Sequence, residues 1–370
     1  MRILLFNWRD TKHPKAGGAE IVTLEHAKGW VHAGHSVTWF TASYAGARSE
    51  EIIDGVKIVR AAGSLRVYLA APFYYLAHKD EFDIIVDEIH GIPFFTPLYV
   101  RKPIVTFIHE VADEIWDYMV GFPFNMIGKL LERAYLYIYR RVPFWTDAPS
   151  SVDDLVSFGI PRSHCTAIPC PITNSIAATM PKKDKRFTCI FVSRVVKMKG
   201  IEEVIKAFSF IAKENEGAQL WIVGGGDEEY LTKLKDMLTE YHIDSRVKFI
   251  GKVSEKEKLD FMGRAHLLLH GSVKEGWGLV VLEAASQWTP SIVYNISGLV
   301  DVVKNGKTGI VLSYNSPLEM AREALVLEKD SKRYERMQKE CVSWVRSLTW
   351  QSAIGESLRL LKTTYDSKTD

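Results

Sequence analysis

Phe187-Thr-Cys-Ile-Phe-Val192, running on through Ser193-Arg194 and Lys199-Gly200 into an apolar-periodic segment from Ile201 to about Lys213, is the stretch that decides the fold. Its first six residues read as a buried strand and the segment after Gly200 as a helix. Arg194 and Lys199 then stand where a strand ends and a helix begins, the edge at which open α/β sheets bind ligands. An Arg and a Lys beside a helix N-terminus suit a diphosphate, although surface cations are ordinarily just solvated.

A second junction repeats the pattern. Glu275-Gly-Trp-Gly-Leu-Val-Val-Leu-Glu283 sets two carboxylates eight positions apart around a glycine-flanked turn. Gly276 and Gly278 predict the turn, and the run from Leu279 to Trp288, stopped by Thr289-Pro290, predicts a helix. Glu275 falls in the loop and Glu283 more than a turn inside the helix. Between them lie unpaired backbone N–H groups and the positive end of the helix dipole, a seat for a sugar joined to a phosphate. A glutamate in a first turn often only compensates that dipole, so the functional reading rests on both clusters occupying strand-to-helix junctions of one domain.

Strand and helix signals alternate along both halves, the pattern of two parallel-sheet α/β domains. In the first half the strands are expected at 2–7, 36–41, 56–60, 83–88, 104–108, 143–147 and 166–169, with helices at 19–33 and 124–141. In the second half they are expected at 187–192, 219–223, 247–250, 266–270, 291–294 and 309–312, with closing helices near 318–327, 332–347 and 350–365. A break at Pro169-Cys-Pro171, with the polar stretch ending in Pro181-Lys-Lys-Asp-Lys-Arg186, reads as an interdomain linker.

Over essentially its whole length the chain resembles the retaining glycosyltransferases of family 4. The resemblance rests on Gly17-Gly18-Ala19-Glu20, Phe107-Ile-His109, Ser193-Arg194 to Lys199-Gly200, Val223-Gly-Gly-Gly226, and the glutamate pair followed by Ala284. It implies two Rossmann-like domains facing across a cleft, of GT-B type, with the last helix crossing back to the N-terminal domain. The domains would be an acceptor-binding 1–170, with 350–370 packing on it, and a donor-binding 171–349. It further implies that Arg194 and Lys199 hold the diphosphate, that Glu283 binds the ribose, and that Glu275 with the backbone of Gly276, Trp277, Gly278 and Leu279 holds the donor sugar. His109 would lie beside the transferred sugar, and Gly17 and Gly18 would let their loop approach it. Trp277 stands where the family often has Phe, and Gly271-Ser272 where Pro-Ser is common.

Other residues carry weaker signals. Ser193 and Gly225 fall in turns expected near the nucleotide, and the backbone about Gly251-Lys-Val253 is a candidate for contact with the base. Asp87-Glu88-Ile-His90 follows an expected strand at 84–86 and either orients an acceptor hydroxyl or forms a solvated acidic turn. No Asp-x-Asp occurs, so a metal bridging the diphosphate has no obvious ligands and neither metal nor cofactor is expected. The missing G-x-G-x-x-G speaks against a nicotinamide enzyme, while an epimerase or a non-catalytic nucleotide or sugar binder of the same fold are the alternatives to a transferase.

Composition fits a large enzyme: 370 residues, 25% charged, 47% hydrophobic. A formal net charge of +2 argues against a dedicated nucleic-acid binder. Arg2 leads straight into Ile3-Leu-Leu-Phe6, read as a first strand and too short for a secretory core. Cys165, Cys170, Cys189 and Cys341 lack metal-ligand spacing, so free thiols in a cytoplasmic protein are expected. The expected partners are a nucleotide-sugar donor and a carbohydrate or lipid-linked acceptor. Residues 122–141 form an aromatic, basic amphipathic helix. Either it touches an anionic membrane at the inner face, or Leu130, Leu131, Ala134, Tyr135 and Ile138 pack on the sheet while Lys129, Arg133 and Arg140 stay wet.

Overall fold

Runs such as Ile3-Leu-Leu-Phe6 and Ile84-Ile-Val86 are buried along their whole length, as strands covered on both faces must be. The computed structural model describes residues 1–367, and the sequence-based expectation for 368–370 lies outside the described residues. The chain divides into two units: residues 1–116, 120–170 and 348 onward form one, residues 117–119 and 171–347 the other.

In the first unit eight strands form one sheet: β1 (Arg2–Phe6), β2 (Ser36–Thr41), β3 (Glu50–Ile53), β4 (Val56–Arg60), β5 (Ile84–Ile89), β6 (Ile104–Ile108), β7 (Phe144–Thr146) and β8 (Cys165–Ala167). Their order is β3-β4-β2-β1-β5-β6-β7-β8, parallel except where β3 meets β4. The helices are α1 (Gly18–His32), α2 (Val67–His78), the short α3 (Trp116–Met119), of which only Trp116 belongs to this unit, α4 (Phe124–Tyr139) and α5 (Pro149–Ser157).

The second unit has six parallel strands, β9 (Thr188–Val192), β10 (Gln219–Val223), β11 (Val247–Gly251), β12 (Leu267–His270), β13 (Ser291–Val293) and β14 (Gly309–Val311), in the order β11-β10-β9-β12-β13-β14. They alternate with α6 (Ile201–Glu214), α7 (Glu228–Glu240), α8 (Glu255–Arg264), α9 (Leu279–Ser286), the short α10 (Leu299–Val302), α11 (Pro317–Lys329) and α12 (Ser331–Ser347). Phe191, Phe208, Leu220, Leu267 and Ile292 anchor its core, all fully buried. The strand order reverses between β9 and β12, so the crevice at their carboxyl ends is the switch point of the sheet. The last helix, α13 (Trp350–Asp366), packs on α1 of the first unit: Trp30 Nε1 donates to Ser357 Oγ at 3.0 Å, and Ile354 lies against Gly29.

Three expectations are corrected. The stretch 181–186 is no free linker, because Lys183 is packed into the second unit, donating to Ala265 O, Trp288 O and Thr289 Oγ1 at 2.8, 3.1 and 2.8 Å. α9 ends at Ser286 rather than Trp288, whose backbone turns left-handed at φ +60°. Leu130, Leu131 and Ala134 do not pack on the sheet. The buried side of α4 is Gly128, Glu132, Tyr135, Leu136 and Tyr139. Glu132 accepts from Ala112 N, Asp113 N, Trp116 Nε1 and Tyr135 Oη, and Gly128 takes the Trp116 ring, which turns the leucines outward.

Candidate active site

Both clusters singled out in the sequence occupy the switch point of the second unit, Ser193–Gly200 after β9 and Gly271–Gly278 after β12. Their backbones touch. Val273 N donates to Met198 O at 3.0 Å, and Ser272 Oγ donates to the same oxygen at 3.1 Å. Gly200, at φ +71°, lets the two loops meet, since a Cβ there would lie 1.8 Å from Gly271 O. Gly298 does the same beneath the second loop, where a Cβ would fall 2.4 Å from Glu275 O.

These contacts bring Lys199 Nζ to 2.6 Å from Glu275 Oε1, and His270 Nε2 to 3.0 Å from the same oxygen. Burial pushes the Glu275 carboxyl up, but Lys199 and His270 more than offset it and hold the group well below the usual carboxylate range. Arg194, on the same loop as Lys199, is exposed, and its guanidinium makes no hydrogen bond or ion pair with any described residue. The site therefore presents one uncommitted cation and one cation held on a carboxylate, an arrangement able to receive a diphosphate.

Gly278 caps α9 from a left-handed backbone at φ +91°. Trp277 is 4% exposed, so its ring is packed into the unit rather than turned toward a ligand. Glu283, on the second turn of α9, meets Lys258 Nζ at 2.8 Å and Asn174 Nδ2 at 3.3 Å. Burial nevertheless leaves its carboxyl raised. Gly224 and Gly226 are close-approach residues, their Cβ positions 1.8 Å from Ser193 O and 2.6 Å from Val195 O, whereas Gly225 faces the Lys252 side chain. Val253 is half-buried in the loop between β11 and α8. Sequence reasoning missed Lys258, Asn174 and His270. Only His270 left a signal, a histidine closing a strand five residues before Glu275.

In the first unit, His109 directly follows β6 and is clamped through both ring nitrogens. Nδ1 pairs with Asp147 Oδ2 and Nε2 lies 3.3 Å from Glu88 Oε1, which His90 Nε2 also approaches at 2.8 Å. Burial lowers the His109 pKa, but the two carboxylates outweigh it and raise it to about 10. Glu88 falls to about 2 despite its burial, through His109 and His90.

The acidic-turn reading of Asp87 and Glu88 is corrected: both are buried residues of β5. Asp87 accepts from Phe94 N, Thr96 N, Thr96 Oγ1 and Tyr139 Oη, so it ties a loop and α4 to the sheet. Gly17 is exposed and extended, and a Cβ there would meet nothing nearer than Glu20 at 3.8 Å; nothing inside the unit demands glycine. Gly18 opens α1 and is likewise exposed.

Comparison with known proteins agrees with this architecture. The family described as "Glycosyltransferase Family 4" matches residues 16–175, and that described as "Glycosyl transferases group 1" matches residues 174–342. The chain belongs to the family 4, group 1 glycosyltransferases. N-acetyl-alpha-D-glucosaminyl L-malate synthase of Bacillus anthracis is 34% identical over 148 residues, 40% of this chain and 38% of that protein. A GDP-mannose-dependent alpha-(1-6)-phosphatidylinositol monomannoside mannosyltransferase of Mycobacterium tuberculosis is 30% identical over 44% of this chain and 43% of its own length. These alignments span less than half of each relative.

Among solved structures, sucrose-phosphate synthase from Thermosynechococcus elongatus superposes with a TM-score of 0.80 at 17% identity, covering 99% of both chains. Anabaena HepE in complex with UDP and glucose does so with a TM-score of 0.74 at 17% identity, covering 98% of this chain and 100% of that one. At such identities the likeness establishes the fold, the two-unit α/β architecture of GT-B glycosyltransferases.

Proposed function

We propose that the protein transfers a sugar from a UDP- or GDP-linked donor to a carbohydrate or lipid-linked acceptor, with retention of anomeric configuration and with no metal at the diphosphate. The observation that carries this reading is the Lys199–Glu275–His270 cluster at the switch point of the second unit, with exposed Arg194 on the same loop as Lys199. Arg194 and Lys199 neutralise the charge that develops on the departing diphosphate, the role a metal plays elsewhere. Glu275, kept ionised by Lys199, binds sugar hydroxyls together with the N–H groups of Gly276 to Leu279. Glu283 takes the ribose hydroxyls. His109, on the first unit, contacts the transferred sugar, and the loop at Gly17 and Gly18 approaches it. Leaving group and acceptor use the same face of the sugar. A donor class of either base is in keeping with the relatives, one named GDP-mannose-dependent and one solved with UDP and glucose.

The test is thermal stabilisation of the purified protein by UDP, GDP, ADP and their sugar conjugates, with and without EDTA. A ligand at a hundred times its Kd adds about 2.7 kcal/mol of stability. A shift with one nucleotide family that persists in EDTA and disappears in Arg194→Ala is expected. No shift with any nucleotide in folded protein removes the donor site.

The acceptor side carries a further observation. On α2 and the segment leading through α4, several large apolar side chains are exposed: Leu69, Phe73, Phe122, Leu130 and Leu131 are 72%, 75%, 83%, 69% and 60% exposed. The two helices meet the same segment after β5, Tyr68 of α2 against Phe94 with ring centroids 4.7 Å apart and Tyr139 of α4 accepting from Thr96 N at 3.0 Å. Arg133 is exposed on α4, and Arg66 and Arg141 are exposed just before α2 and just after α4. No helix among the described residues is long and apolar enough to cross a membrane. An apolar face ringed by cations suits the surface of an anionic bilayer and a lipid-linked acceptor held there. Co-sedimentation with anionic vesicles at low salt is expected for the native chain, and at least tenfold less for Leu69→Ser/Phe73→Ser/Leu130→Ser/Leu131→Ser. Equal recovery of both proteins with vesicles, or of neither, refutes the contact.

A further inference from the structure

Glu88, His90 and His109 each offer one ligand atom in the first unit, a carboxylate oxygen and two ring nitrogens, all within 4.8 Å of one another. The separation of 3.3 Å between His109 Nε2 and Glu88 Oε1 is close to the roughly 3.3 Å between neighbouring ligands of a tetrahedral ion with bonds of about 2.0–2.1 Å. His90 Nε2 is closer, at 2.8 Å from the same oxygen. Two of the three groups are oriented by a partner behind them. Asp147 Oδ2 takes His109 Nδ1, and Thr23 Oγ1 donates to Glu88 Oε2 at 2.7 Å. A carboxylate behind a histidine and a hydrogen bond behind a ligating carboxylate are what fix ring tautomer and ligand direction at metal centres.

Charge points the same way. Glu88 and Asp147 are both buried, and among the described residues no Lys or Arg bonds to either. Asp147 Oδ1 is also buried without a hydrogen-bond partner. A dication held by Glu88, His90 and His109 would place positive charge beside both buried carboxylates.

We infer that Glu88, His90 and His109 form a binding site for a borderline divalent transition-metal ion, Zn2+ foremost, with its fourth position open to water or ligand. Two imidazole nitrogens and one carboxylate select such an ion over Mg2+ or Ca2+, which take oxygen donors. The ion replaces the ring protons, so its affinity rises with pH. It also claims His109 Nε2. If the proposed transfer reaction is right, Zn2+ is therefore a reversible inhibitor relieved by EDTA, and the site is a regulatory one, separate from the metal-free handling of the diphosphate.

The test reads binding alone, with neither nucleotide nor acceptor present, so its outcome is independent of the transferase reading. Zn2+ is titrated calorimetrically into chelator-stripped full-length protein at pH 6 and at pH 7.5. One equivalent is expected, bound at least tenfold more tightly at the higher pH, and Co2+ in its place is expected to give the intense visible bands of a four-coordinate site. His90→Ala, at a side chain that keeps some exposure, and Glu88→Gln are each expected to abolish the binding in protein whose circular dichroism is unchanged. Should Glu88→Gln fail to fold, His90→Ala decides by itself. Absence of saturable binding, or stoichiometric binding of equal affinity in His90→Ala, overturns the site.

Discussion

Lys199→Met is expected to lower glycosyl transfer by about 10²–10³-fold, the scale on which one group stabilising developing negative charge acts in other enzymes. Methionine keeps the unbranched stem and removes the ammonium with its charge and its hydrogen bond to Glu275, so the loss reports on the ammonium rather than on the packing of the stem. The same substitution should destabilise the fold, because Glu275 is left buried with His270 alone. Breaking a buried pair by removing one member costs about 3–5 kcal/mol, and the lower figure applies here since both side chains keep some exposure. The pH dependence follows from the direction of the shift. The folded Glu275 carboxyl titrates well below its usual range, so its stabilisation is fully present above the unfolded value of about 4.3 and lost as the pH falls toward the folded one. In Lys199→Met that acid-sensitive increment should shrink, flattening melting temperature against pH below about pH 5. Arg194→Met is the contrast: the side chain is exposed and bonds to no described residue, so stability should stay within about 0.5 kcal/mol while transfer falls. A Lys199→Met enzyme that turns over at the native rate removes the ammonium from the leaving-group site.

What the sequence disclosed about this site follows from the kind of signal each residue leaves. Strand cores such as Thr188–Val192 and Gln219–Val223 are uninterrupted apolar runs, and the charged residues that follow mark the sheet edge; the Arg194–Lys199 and Glu275–Glu283 clusters were therefore legible. Side chains that arrive from elsewhere in the chain were not. Lys258 lies on α8, a helix so charged that one more cation carries no information, yet its 2.8 Å contact orients Glu283. His109 was visible as a strand-end residue, but its clamp comes from Glu88 and Asp147 on two flanking strands and loops, which only the sheet order brings together. Among the elements, β3 escaped because Glu50-Glu51 conceals an edge strand, where charge is the usual guard against pairing. α2 escaped because Pro72 reads as a breaker, though its helix continues through it with Val67, Ala71 and Tyr75 buried. α4 was located correctly, but of its expected buried face Tyr135 is buried while Leu130, Leu131 and Ala134 are not, since that face is chosen by Glu132 and Gly128, residues with no apolar signal at all.

Gly200→Ala is expected to abolish donor binding and lower the melting temperature by about 10 °C, an effect that dihedral strain alone does not produce. Any L-residue in the left-handed region costs about 1–2 kcal/mol. Gly46 sets that baseline in the same protein: its φ is +81° with nothing within 4 Å of a Cβ, so Gly46→Ala should cost only this much. At Gly200 the Cβ would also fall 1.8, 2.2 and 2.8 Å from the oxygen, carbon and Cα of Gly271. These are backbone atoms and cannot rotate aside. The loop after β12 must then move away from the loop after β9 by about an ångström or more, which separates Lys199 from Glu275 and breaks the Val273-to-Met198 hydrogen bond. A loss of more than about 4 kcal/mol is the scale for such backbone collisions, and at about 2–4 °C per kcal/mol it gives the stated fall. Equal melting temperatures for Gly200→Ala and Gly46→Ala would show that the two loops can part without cost. A Gly200→Ala protein that still binds nucleotide diphosphate with native affinity would show that the site does not depend on their contact.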